Sequence, residues 1–362
     1  MSTRKVPPAR LVDAVERVRY VLGRIHRRSA PPSVTVLEML FGALVAQAIA
    51  AAAQLKIADA LADGPLRVDA LANRVDADPD ALARLMRALI SEGIFRQRRD
   101  GRYTLNALGE TLRSERPNSI AGMAKFVGAP EHREHWTLLA DAVRTGEAVP
   151  HRLRGMSGWD FLKQRPEFAA IFNDAMTNMS EMAVDPIIAA YDFAPHPTIV
   201  DVGGGHGRLL AAIVAATPGA SGLLYDLPEV VEGAQELLRR HGVADRVRTA
   251  GGSFLDAVPE GGDAYILKNV IHDWPDDDAV AILSNVRRAA GPGATLLLVE
   301  FVIPAHHRPF AGKWTDLEML VQAGARERTE DEFRKLYTRA GFQLTRVVPT
   351  ASGLSLIEGK AV

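Results

Sequence analysis

From Thr198 onward the chain alternates short strand-like runs with stretches of helical texture, the runs falling at 198–202, 222–225, 247–250, 264–267 and 294–300. Parallel strands cannot be joined by a tight turn. They need a crossover, and the helical stretches supply one each time. This half is therefore confined to an α/β fold, a parallel sheet with helices on both faces. The tail, 342–347 and 354–357 around 349–353, predicts a closing hairpin.

The residues before 198 have a different texture. In 4–28, Arg10, Arg17, Arg19, Arg24, Arg27 and Arg28 interleave with Leu11, Val15, Val18, Val21, Leu22 and Ile25. No uninterrupted apolar stretch follows, so an amphipathic helix is expected rather than a targeting segment. The run 40–53 is Ala-rich and broken by Gln47. It falls short of the ~20 residues that cross a bilayer, and predicts a buried helix at a subunit interface. Gly64-Pro65 stops the helix before it; 67–75 and 80–92 read as helices, with Asp78-Pro79 starting the second and Gly93 ending it. The segments 94–98 and 103–105 flank Asp100-Gly101, the signal of a two-residue hairpin. Two short helices and a hairpin form the winged helix-turn-helix pattern. Helical texture returns over 110–190, at 159–162, 167–182 and 185–191.

Composition removes several classes. At 362 residues the chain is too long for one average domain and suits two. Lys and Arg number 43 against 44 Asp and Glu, so no global field draws the protein to nucleic acid or membrane. Without cysteine there are no disulfides, thiolate metal sites or cysteine nucleophiles, which fits a cytoplasmic setting.

Chemistry concentrates in two places. Ile199-Val200-Asp201-Val202 leads into Gly203-Gly204-Gly205-His206-Gly207. Glycines at a strand-to-helix turn let the backbone approach a ligand, and the next helix offers free N–H groups. Arg208 stands where a dinucleotide fingerprint wants its third glycine, which counts against NAD. Asp226, ending the second run, suits either a ribose diol or the N-cap of a helix beginning at Pro228. The second place is 266–275, Ile-Leu-Lys-Asn-Val-Ile-His-Asp-Trp-Pro, at the carboxyl edge where α/β ligands sit. His272 there can take a proton from a phenol, or simply belong with Asp273 to the cap of the next helix. Asp276, Asp277 and Asp278, after Pro275 at the first helical position, complement the helix dipole rather than bind metal.

His272-Asp273-Trp274 resembles the H-D-W motif of the plant and bacterial small-molecule O-methyltransferases, caffeate-type and anthracycline-type, and the resemblance extends over nearly the whole chain. It implies S-adenosylmethionine as methyl donor, S-adenosylhomocysteine as product, and no metal. His272 becomes the general base, flanked by Glu300 and by Glu327 of Glu327-Arg328-Thr329. The cofactor would be held by Ser180, Asp201, Gly203, Gly205, Asp226, Leu227, Phe254 and Lys268. Many members carry Gly-Asp after the third strand; here Gly252-Ser253 stands there, and Ser253 or a backbone group is expected to substitute. Phe168, Phe172, Met176, Met179, Asp273 and Met319 would line the acceptor pocket, although spacing alone makes such Phe and Met residues core.

The resemblance also implies a Rossmann-like methyltransferase sheet in 191–362. A mostly α-helical dimerisation domain with a winged-helix element precedes it in 1–110. Linking helices in 111–190 would line the acceptor pocket, and the active form would be a homodimer. The acceptor is expected to be a small aromatic or polyketide-like secondary metabolite. Two rivals remain: a cofactor-binding relative that methylates carbon or hydroxylates, and a winged-helix DNA-binding regulator. Against the second, the helix over 80–92 carries only Arg84 and Arg87 as basic side chains.

Overall fold

A computed structural model describes residues 6–362; the first five, with Arg4 among them, lie outside it. The chain forms two compact units. One comprises Val21–Leu138 and Gly158–Met182; the other comprises residues up to Tyr20, Leu139–Ser157 and Ala183–Val362.

In the N-terminal half, the helix Ala9–Arg28 buries none of its residues. Next comes the helix Pro32–Gln54, which corrects the expectation of a buried helix. Thr35 and alanines 50, 52 and 53 are its buried residues, while Leu37, Leu40, Phe41 and Leu44 are 49–66% exposed. Packing covers its alanine end and, near its start, Thr35, whose Oγ1 donates to Arg27 O at 3.0 Å. At 23 residues it is also long and apolar enough to cross a bilayer by length and composition, because Pro32 opens it well before the apolar run. The helices Val68–Val75 and Pro79–Ser91 follow, with the Asp78 side chain capping the second through the Ala81 N–H at 2.8 Å. β1 (Arg96–Gln97) and β2 (Tyr103–Thr104) then pair antiparallel. Their turn is longer than expected. Arg98 N–H donates to Arg102 O, leaving a three-residue connection with Gly101 at φ 81°. Leu71, Leu82, Met86, Leu89 and Phe95 form the core here.

The second half is a seven-stranded sheet: β3 (Thr198–Val202), β4 (Ser221–Asp226), β5 (Val247–Gly251), β6 (Ala264–Lys268), β7 (Thr295–Glu300), β8 (Phe342–Pro349) and β9 (Ser355–Ala361). The order is β5-β4-β3-β6-β7-β9-β8. β3 to β7 run parallel, and β9 is antiparallel to both β7 and β8. Alternating side chains feed two cores, as the pleat demands. Val200, Val202, Leu267 and Leu298 pack under the helices Asp276–Ala289 and Glu330–Arg339; Ile199, Leu224, Ile266 and Val299 pack under Arg208–Ala216. The chain steps outward from β3 to β5, then returns to start β6 beside β3. That reversal is the switch point where open α/β sheets bind ligands.

Two helices were expected over 167–182 and 185–191, with Asp185-Pro186 between them. One helix, Pro166–Ala190, runs through Pro186 instead. An internal proline costs about 3 kcal/mol; burial of Ala183, Val184 and Ile187 around it offsets that cost.

A buried polar knot ties the residues after this helix to the sheet edge. Glu358 on β9 accepts from the Tyr191 hydroxyl at 2.7 Å, from Thr345 Oγ1 at 2.7 Å and from Arg346 at 2.8 Å. Burial opposes its charge, but these donors outweigh it and hold the carboxyl at about 2. A depressed carboxyl contributes stability above its unfolded value and loses it as pH falls through the folded one. Glu358→Gln should therefore destabilise the protein by about 2 kcal/mol at neutral pH, with the difference in melting shrinking as pH drops from about 4.5 toward 2.

Candidate active site

Polar residues collect at the carboxyl edge of the sheet. After β3, Gly203, Gly205 and Gly207 adopt φ of 67°, 60° and 78°, values that favour glycine. A Cβ at Gly204 would fall 2.6 Å from the Asp201 carboxylate, whereas one at Gly205 would meet open space. The turn is thus packed from below and open above. Asp201 lies beneath it, 1% exposed, with Oδ2 lacking a partner; burial pushes its carboxyl up to about 7 against the pull of Lys268. Burial also pulls the Lys268 ammonium below its usual range, although Asp201 and Glu300 support the charge.

Asp226 ends β4 and holds the turn. Its Oδ2 accepts from Gly205 N–H at 2.8 Å and its Oδ1 from Leu227 N–H at 2.7 Å. The cap position of the helix Pro228–Val231 belongs to Leu227, so Asp226 is not that helix's N-cap. A carboxylate has about four acceptor sites; two remain, which matches the two hydroxyls of a ribose. Phe254 packs edge-on against Trp274 at 6.1 Å and lies within 3.4 Å of a Cβ built on Gly203. Ser253 Oγ accepts from Leu255 N–H at 3.2 Å, within its own loop. An open glycine turn, a carboxylate with spare acceptors and an aromatic wall fit an adenosine-bearing ligand.

His272 sits in the 3-10 turn Ile271–Asp273, between β6 and the helix Asp276–Ala289. Pro275 caps that helix rather than opening it, because its ψ of 159° is extended. Glu300, the last residue of β7, is fully buried; its Oε1 accepts from Val270 N–H at 3.1 Å and Ile271 N–H at 2.9 Å. Its Oε2 lies 3.7 Å from His272 Nδ1 and has no hydrogen-bond partner. Nδ1 itself is 2.9 Å from Glu327 Oε1. An ionised carboxylate only accepts, so Nδ1 carries the hydrogen and Nε2 is left to exchange a proton. Asp273 Oδ1 stands 3.5 Å from Nε2. Burial works against a charged ring, yet Glu300, Asp273 and Glu327 together push it up to about 10. Asp273 is itself raised to about 6, by burial first, and burial raises Glu300 as well.

The other expected residues fall into two places. In the unit that includes Gly158–Met182, Phe172 meets Phe126 at 5.6 Å and Trp159 at 6.0 Å, while Phe168 is buried between Phe126 and Phe161. Met176 and Met179, on the same helix, are each 38% exposed, and Ser180 is half-buried. Met319, in the unit with the sheet, is half-buried on the helix Gly312–Ala323. Two residues at the catalytic edge escaped sequence reasoning. Asn269 has φ 53° and a buried Oδ1 without a partner, and nothing in its sequence context signals this. Arg328 is fully buried, and its place in the E-R-T segment was the only hint.

The O-methyltransferase domain family matches residues 136–343, and the O-methyltransferase dimerisation domain family matches 37–115. A phenazine O-methyltransferase from Lysobacter antibioticus is 40% identical over 92% of this chain and 98% of its own. A mitomycin biosynthesis 6-O-methyltransferase from Streptomyces lavendulae is 38% identical, over 88% of this chain and 91% of its own. Among solved structures, an O-methyltransferase from neocarzinostatin biosynthesis, in complex with S-adenosylmethionine and 2-hydroxy-5-methyl naphthoic acid, superposes with a TM-score of 0.74 at 33% identity. That match covers 88% of this chain and 96% of the other. This chain belongs to the O-methyltransferase family.

Proposed function

We propose that the protein moves a methyl group from S-adenosylmethionine to a hydroxyl of a small aromatic secondary metabolite, with His272 as general base. The observation that carries this is the orientation of the ring: Nδ1 is committed to Glu327 at 2.9 Å, which leaves Nε2 for the acceptor's proton. The donor supplies a methyl on a sulfonium centre, so the protein need only align the acceptor and take its proton. Glu300 and Glu327 hold the ring and stabilise the imidazolium that forms. Asp226 accepts the ribose hydroxyls, the 203–207 turn receives the adenosine portion, and Phe254 borders the base. Asp273 stands beside the reacting hydroxyl, and Met319 of the same unit borders the acceptor. The active form is a homodimer joined through the N-terminal helices.

A phenol with pKa near 10 suits a ring held at about 10, because transfer between matched groups costs little. The acid limb of the activity follows from the same value. Only the neutral ring is a base, and its fraction rises with pH up to about 10. The kcat/KM of the enzyme should therefore keep rising between about pH 7 and 9, instead of levelling near an ordinary histidine value of about 6.5. Glu300→Gln removes one supporting charge and should move that limb to lower pH.

Calorimetry with S-adenosylmethionine and S-adenosylhomocysteine comes first, followed by a screen of phenols, naphthols and hydroxyphenazines for methyl transfer. Asp226→Ala should weaken donor binding by about tenfold or more, as the loss of hydrogen bonds to a charged group implies. His272→Ala should lower kcat by about 10²-fold or more while donor affinity stays close to that of the parent. Near-normal turnover by the His272 variant would remove the base assignment. Absence of binding to either nucleoside would remove the donor.

A further inference from the structure

The turn that carries His272 has no regular ladder of its own, and one buried side chain organises it. Arg328 is 0% exposed, an unusual place for a guanidinium. It spends its donors on the backbone and cap of this turn. One terminal nitrogen donates to Ile271 O at 2.9 Å; the other donates to Trp274 O at 2.8 Å and to Asp276 Oδ1 at 2.8 Å. Nε donates to the same Asp276 oxygen at 3.0 Å. The two carbonyls bracket His272 and Asp273, so a single planar group grips the turn on both sides of the base. Arg328 is anchored in its own right. Its carbonyl accepts from Ile303 N–H at 2.8 Å, and Asp316 Oδ1 accepts from the neighbouring Glu327 N–H at 2.9 Å. The short segment 327–328 therefore fixes the ring through one residue and the backbone beneath it through the next.

We propose that Arg328 is a positioning residue for methyl transfer, setting the placement of His272 through the backbone of residues 271–274. The inference rests on the assignment of His272 as base. Asp276, which as a first-turn acid would serve only the helix dipole, becomes the counter-charge that makes burial of the guanidinium tolerable. Lysine cannot replace the fork, because a point charge cannot reach two carbonyls and a carboxylate together. The carboxylates facing the ring are Asp273 on its own turn, Glu300 from β7 and Glu327 from the segment bearing Arg328. A turn released from Arg328 parts the ring from Glu300 and Glu327, so the ring's affinity for its proton falls.

The test compares Arg328→Lys and Asp276→Asn with the parent enzyme by three measurements. They are S-adenosylhomocysteine affinity by calorimetry, the His272 titration by NMR (assigned against His272→Ala), and kcat with the phenol best turned over in the screen above. In Arg328→Lys, affinity should stay within about twofold while kcat falls by about tenfold or more, the scale of effect expected of a misplaced base. The His272 titration should move down by a unit or more in Arg328→Lys (about 1 pH unit or more,). Asp276→Asn keeps both carbonyl contacts and should shift the same readouts in the same direction by less. It decides the matter if Arg328→Lys does not fold. Unchanged kcat and titration in a folded variant would overturn the proposal. So would parallel losses of kcat and affinity without a change in the titration, which mark a general packing role. A His272→Ala enzyme that still turns over would instead sink the base assignment itself.

Discussion

A histidine enclosed by three carboxylates in a nearly dry interior is a demanding arrangement, and the rest of the catalytic edge is built around it. Each charge there loses solvation, and only mutual attraction with well-aimed hydrogen bonds compensates. Glu300 meets that requirement by accepting from the amide groups of Val270 and Ile271 on one oxygen and setting the other 3.7 Å from the imidazole. Because Glu300 is the last residue of a central strand, the position of the ring is tied to the register of the whole sheet. Glu327 approaches from a segment outside the sheet, so the ring is held from two independent elements.

The sheet also explains why the two halves of the site lie on one edge. Strands β3, β4, β6 and β7 are parallel, so Asp201, Asp226, Lys268 and Glu300 all end at the same side. The glycine turn and the turn bearing His272 follow strands that are neighbours in space although separated in sequence by β4 and β5. The two turns are thereby anchored on adjacent rigid strands, which is how a site keeps its geometry.

Much of this was legible in the residues. Buried parallel strands must be apolar on both faces, so 264–267 and 294–300 declared themselves, and the turn glycines followed directly from the strand before them. The His272, Glu300 and Glu327 set was legible only through a resembled motif, because their meeting depends on strand order. Other features were hidden for stated reasons. An arginine reads as surface, and nothing local reveals that Arg328 finds three acceptors inside. Pro186 reads as a helix boundary, and only the packing of its neighbours overrides that. The left-handed backbone at Asn269 has no glycine to announce it. Apolarity in 40–53 was plain, but sequence reports what a face is made of and not what covers it.

That last point reaches beyond the active site. Each chain can complete its sheet by a unimolecular reaction, whereas the exposed Leu37, Leu40, Phe41 and Leu44 of the helix Pro32–Gln54 can be covered by another molecule only through an encounter. These residues also precede the sheet in order of synthesis. Covering that face then follows a different kinetic order from completing the sheet, and concentration, not sequence alone, sets how long an adhesive surface stays bare.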